Sequence, residues 1–62
     1  MLKSSRDIKR RLEAEGWQLV RIKGSHHQFK RGEVTITLPH PRKDLPIGLV
    51  ISVYKMAGWK RD

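Results

Sequence analysis

Glycine at positions 24 and 32 divides the stretch from Trp17 to Leu38 into three short runs. Trp17 to Lys23 is rich in β-forming residues and stops at Gly24, a turn residue able to take positive φ. His26 to Lys30 is a second short strand, Arg31-Gly32-Glu33 a tight turn, and Val34-Thr35-Ile36-Thr37-Leu38 alternates between apolar and hydroxyl side chains. The spacing predicts a three-stranded antiparallel meander. Pro39-His40-Pro41 cannot continue a central strand, because its prolines lack the ladder donor, and Arg42-Lys43-Asp44 reads as a solvated loop.

Helices flank this sheet. Ser4 or Ser5, followed by Arg6-Asp7-Ile8, reads as an N-cap, with Asp7 as an acidic relative of the capping box. Ile8 and Leu12 share a face and Gly16 supplies the stop, giving a helix over about residues 5–15 with one narrow buried stripe. Leu45-Pro46-Ile47 starts a second helix, with proline near its first position. Ile47, Val50, Ile51 and Tyr54 fall at helical spacing as its inward stripe, and Gly58 closes it. The expected fold is α+β, a single domain over 1–62 of order α-β-β-β-α, with two helices on one face of the sheet. No repeat, low-complexity stretch or second domain is visible.

A chain of 62 residues buries only about 60% of its unfolded surface, so roughly 3–5 kcal/mol of net stability is expected. The absence of cysteine excludes disulfides and thiolate-held zinc and fits a reducing cytosol. No apolar stretch approaches the ~20 residues of a membrane span, and Met1-Leu2-Lys3 leads into polar residues rather than a signal sequence. A cytoplasmic protein with no membrane association is expected. Its 14 Lys and Arg against 6 Asp and Glu give a net charge of +8, which favours nucleic acid or an acidic protein partner, with solubility alone as the simpler explanation.

Strand parity separates the adjacent histidines. Phe29, the large apolar residue of the second strand, should face the helices, which puts His27 on the core side and His26, Gln28 and Lys30 on the other. Val20 and Ile22 are the expected inward pair of the first strand, leaving Arg21 and Lys23 beside His26. Trp17 and Leu19 share the parity of Arg21, so a bulge would change this sorting. His26 is then either a solvated turn histidine or an acid/base group among cations. His27 reads as a half-buried imidazole bonded to backbone, and His40, between prolines, as either a second acid/base group or, the favoured reading, a rigid corner residue.

Asp7, Glu13, Glu15, Glu33, Asp44 and Asp62 are scattered over helix, turn and tail, so no carboxylate pair converges for two-metal chemistry. Three histidines without helical spacing are a poor zinc set. Neither metal nor a small-molecule cofactor is expected. RNA cleavage without metal is natural because the substrate carries its own nucleophile. A base takes the 2′-OH proton, the oxygen attacks phosphorus, and cations stabilise the charge that develops. One imidazole can be that base, and a single acid/base group gives only about 10²–10⁴-fold.

Gly16-Trp17, Arg21, Gly24-Ser25-His26-His27-Gln28-Phe29, Pro39-His40-Pro41, Lys43-Asp44-Leu45-Pro46-Ile47-Gly48 and Ala57-Gly58-Trp59 together resemble HicA, the toxin ribonuclease of HicAB toxin–antitoxin modules. The match runs across nearly the whole chain and includes the Ser4-Ser5 opening. The resemblance implies a double-stranded-RNA-binding-domain-like fold, metal-independent endonucleolytic cleavage of mRNA that arrests translation, and neutralisation by an acidic HicB antitoxin. The catalytic histidine of the family follows Gly-Ser directly and is His26 here, with Gly24 as the family glycine. Arg21, Lys23, Gly24, Ser25, Gln28 and Lys30 are the expected RNA contacts. The segment from Phe29 to Pro39 departs from the family by being shorter and by lacking the common His-Pro after the phenylalanine.

Besides its inward stripe, the second helix carries Leu49, Ile51 and Met56, and so is apolar nearly all round. These residues, together with His26, are the expected antitoxin contacts. A core that wraps more of the helix, or a self-dimer, would use the same positions. The competing function is a non-catalytic RNA-binding module, which needs only positive charge at position 26. A DNA-binding regulator is disfavoured because no helix-turn-helix pair appears.

Overall fold

The computed structural model describes residues 1–61 and gives the elements α1 (Ser5–Ala14), β1 (Gln18–Lys23), β2 (His26–Arg31), β3 (Val34–Pro39) and α2 (Ile47–Ala57). The expected single domain over 1–62 ends at Asp62, outside the described residues. The three strands form one antiparallel sheet in the order β1-β2-β3. Gly24 and Gly32 lead the two connecting turns with φ of 59° and 60°, whereas Ser25 and Glu33 keep negative φ. Positive φ at the first central residue alone is the II′ pattern, whose twist matches that of the flanking strands.

Register sets the faces. Phe29 lies opposite Ile36, and His27 opposite Leu38, on the side that packs on the helices. Ile8 and Leu12 from α1 meet Val50, Val53, Tyr54 and Ala57 from α2 over Phe29, Ile36 and Leu38, and Trp17, Leu45 and Trp59 close the margins. The other face of the sheet carries no helix. The observed order and layering are those expected, and they define a double-stranded-RNA-binding-domain-like fold.

Two expectations about packing need correction. Val20 and Ile22 are not buried, being 53% and 57% exposed: Val20 is the extra residue of a bulge, and Ile22, opposite His27, lies on the expected helix side but is left uncovered. A bulge between Leu19 and Arg21 shifts the register, so Leu19 pairs with Phe29 while Arg21 pairs with Gln28. Trp17 takes the buried position just before the strand. On α2 the buried stripe is Val50, Val53, Tyr54 and Ala57, while Ile47 is 63% exposed and Ile51 half-buried. That helix is apolar on several faces, and the core selects the one its neighbours can cover. As expected, Pro39 continues no central strand: it ends β3, an edge strand, where a proline loses no bond to the sheet.

Ser4 caps α1 by accepting from the Asp7 amide at 3.2 Å. Ser5, by contrast, is buried. Its Oγ accepts from the Arg42 amide at 2.7 Å and lies 2.7 Å from Nδ1 of His40. The far end of α1 is tied to α2 through Glu15, which accepts from Trp59 Nε1 at 2.7 Å and from Arg11 Nε at 3.1 Å. Tyr54 Oη accepts from the Leu2 amide at 2.8 Å, so the segment leading into α1 is bound to α2 and the residue ending α1 to the turn that follows α2.

Candidate functional site

On the helix-free face, cross-strand neighbours form rows. Lys23, His26 and Pro39 make one row, and Arg21, Gln28 and Thr37 the next. Arg21, Lys23, His26, Gln28 and Thr37 line a shallow hollow with two cations and no carboxylate. The bulge in β1 makes this arrangement possible: without the extra residue, Arg21 would follow Leu19 onto the core side. His26 is exposed and opens β2, directly after the Gly24-Ser25 turn. Such a hollow attracts an anion and holds an imidazole beside it, the pairing that proton transfer next to a phosphate requires.

Of the sequence-selected residues, Arg21, Lys23, His26 and Gln28 come together here, with Gly24 and Ser25 in the adjoining turn. Lys30 is on the same face but borders a separate hollow with Gln18, Val20 and Gly32. Thr37 lines the site although the sequence reading passed over it. The two-residue turn at Gly32-Glu33 fixes its position, since it places Thr37 opposite Gln28.

His27 and His40 stand on the opposite face as an edge-to-face pair with ring centroids 5.0 Å apart. Nδ1 of His27 is buried without a hydrogen-bond partner, so the expected bond to backbone is not made. His40 is a corner residue, as expected, and a well-anchored one. Its amide donates to the Ser25 carbonyl at 2.8 Å and its ring meets Ser5. Burial, followed by the fields of His27 and Lys9, lowers the His40 pKa below the usual 6.5, and Glu13 opposes this in part. Because Ser5 Oγ accepts from Arg42, its own proton is free for Nδ1 of a neutral His40 ring. The corner thus braces the turn that carries His26.

Among the described residues, no three His, Asp or Glu side chains gather closely enough to hold a metal ion. No described helix is long and apolar enough to cross a membrane. On α2, Met56 is 45% exposed, Leu49 packs partly against the core, and Ile51 is half-buried.

The layering and the cationic sheet face define the class: a small basic α+β domain built like a double-stranded-RNA-binding domain, with Arg21, Lys23, His26 and Lys30 on the sheet face away from the helices. Residues 5–59 match the family described as HicA toxin of bacterial toxin-antitoxin, and the chain belongs to that family. It is therefore the toxin member of a toxin–antitoxin pair, with an antitoxin as its partner. No individual curated protein matches the sequence closely.

Proposed function

We propose that this toxin is a metal-independent endoribonuclease that cuts mRNA, with His26 as the catalytic acid/base group. The observation that carries the reading is the exposed His26 imidazole in a hollow lined by Arg21 and Lys23 and free of carboxylates. His26 takes the proton of the ribose 2′-OH, the oxygen attacks the adjacent phosphorus, and the P–O5′ bond breaks, leaving a 2′,3′-cyclic phosphate and a 5′-hydroxyl that takes its proton from solvent. Arg21 and Lys23 stabilise the charge on the phosphorane oxygens. Gln28, Thr37 and the Gly24-Ser25 turn border the bound strand, and Lys30 meets a phosphate further along the face. A HicB-like acidic antitoxin silences the enzyme by covering this face, anchored on the apolar positions Leu49, Ile51 and Met56 of α2.

The test compares His26→Ala with the unaltered chain by circular dichroism and by cleavage of labelled RNA. His26 is exposed and packs little, so the variant stays folded and loses cleavage. Cleavage by the unaltered chain survives EDTA, and a substrate with 2′-deoxyribose at the scissile position binds but stays whole. Wild-type activity in a folded His26→Ala protein overturns the assignment. Tight RNA binding with no cleavage by either protein leaves the binding-module reading in its place.

A further inference from the structure

The two edges of the sheet differ in a way that points to a partner. At the β1 edge, the bulge at Leu19/Arg21 and the charges of Arg21 and Lys23 discourage any added strand. The β3 edge has none of these defences. Val34 to Pro39 carries no charged residue, in a chain that is 32% charged, and its pairing with β2 is regular throughout.

The bond pattern shows which backbone groups that edge offers. The His40 amide donates to Ser25, which lies opposite it one step beyond the His26/Pro39 pair. Antiparallel pairs alternate between hydrogen-bonded and non-bonded, so 27/38, 29/36 and 31/34 are bonded, while 26/39, 28/37 and 30/35 are not. Thr35 and Thr37 therefore direct their N–H and C=O groups away from β2, out of the sheet. Pro39, at the same parity, needs no N–H. Beside these groups lies a groove lined by Thr35, Thr37, Leu49, Ser52 and Met56, again without a charge. Thr37 borders both this groove and the His26 hollow.

The geometry points to the β3 edge as a docking site for an extended segment of an acidic protein, which adds to the sheet as a fourth strand. Its backbone pairs with Thr35 and Thr37. Its side chains alternate: apolar ones enter the groove against Leu49 and Met56, and acidic ones emerge on the helix-free face, in the rows that hold Lys30, Arg21 and Lys23. Charge decides the occupant. A second copy would bring another +8 against the first, whereas an acidic strand brings charge of the opposite sign to the face that holds Arg21, Lys23 and Lys30. Identifying this strand with the antitoxin rests on the functional reading above, and gives it a route to close the His26 hollow from the side. The edge itself does not depend on that reading.

The test uses the full chain, isotopically labelled, titrated at low salt with a synthetic peptide alternating Glu and Val, and with an isomer carrying the same residues in two blocks. The alternating peptide binds saturably and slows amide exchange at Thr35 and Thr37; the blocked isomer does not. Thr37→Pro removes one outward N–H while sparing the β2 ladder, and weakens the peptide about tenfold. Met56→Asp weakens it through the groove, and holds the proposal to account should the proline variant fail to fold. Unchanged affinity in folded Thr37→Pro, equal binding of the blocked isomer, absence of binding, or protection of Thr35 and Thr37 by raised protein concentration alone each overturn it. None of these readouts involves RNA cleavage, so a failure here and a failure of the nuclease reading remain distinct.

Discussion

Ser5→Ala should destabilise this domain more than Ser4→Ala, although Ser4 is the residue that caps the helix. Ser4 makes one exposed 3.2 Å bond to the Asp7 amide. Replacing a cap of that kind costs about 1 kcal/mol. Ser5 is buried and holds two 2.7 Å contacts, to the Arg42 amide and to Nδ1 of His40, across 37 and 35 residues of sequence. Each intramolecular hydrogen bond has a net worth of about 0.5–1.5 kcal/mol, so losing both costs roughly 1–3 kcal/mol. Against a total of roughly 3–5 kcal/mol for a chain of this size, that is a large share. At roughly 4–8 °C per kcal/mol, a loss of about 2 kcal/mol lowers Tm by roughly 8–16 °C. Urea and thermal unfolding at neutral pH, followed by far-ultraviolet circular dichroism, measure the two variants side by side. Equal losses, or a larger loss for Ser4→Ala, would refute the view that Ser5 joins α1 to the His40 corner.

Other outcomes follow from the same contacts. Hydrogen bonding from Trp59, the largest influence on Glu15, holds that carboxyl below its usual 4.5. The folded state therefore favours the ionised form, and this stability is present above pH 4.5 and lost as pH falls through the lower folded value. Glu15→Gln should be less stable at neutral pH and lose less on acidification, as read by urea midpoints across pH. For His40, a folded pKa below 6.5 means that the unfolded chain takes up the proton first. Its contribution is complete above pH 6.5 and declines as pH falls toward the folded value, and His40→Asn, which cannot titrate, should flatten that limb of the stability profile. For RNA, Lys23→Gln should reduce the slope of log affinity against log salt by about 0.7, the share of one phosphate contact on a single strand. An unchanged slope in filter-binding titrations would remove Lys23 from the interface.

The sequence makes the order of elements legible because its punctuation is local. Gly24, Gly32, Pro46 and Gly58 act within a turn of themselves, and each falls where an element begins or ends. The face of α2 is not legible. Ile47/Val50/Ile51/Tyr54 and Val50/Val53/Tyr54/Ala57 are both apolar stripes at helical spacing, and the choice belongs to the sheet beneath. The bulge at Leu19/Arg21 is equally hidden, since it is defined only by the strand opposite. Yet that bulge decides the grouping of Arg21 with Lys23 and His26. The pairing of Ser5 with His40 lies beyond any local pattern, because it joins positions 35 residues apart.

Trp59 gives the domain a late-closing seam. Its indole N–H binds Glu15, Arg11 sits 4.2 Å from its ring centre, and its ring packs edge-on to Tyr54 at 5.1 Å. Synthesis runs from the amino end, so α1 and all three strands are made before the residue that fastens α1 to α2 exists. The strands that present His26 therefore precede, in the order of synthesis, the latch that holds them. For a toxin this orders events in time: the residues of the His26 face are made first, and the fold locks only once Trp59 has followed.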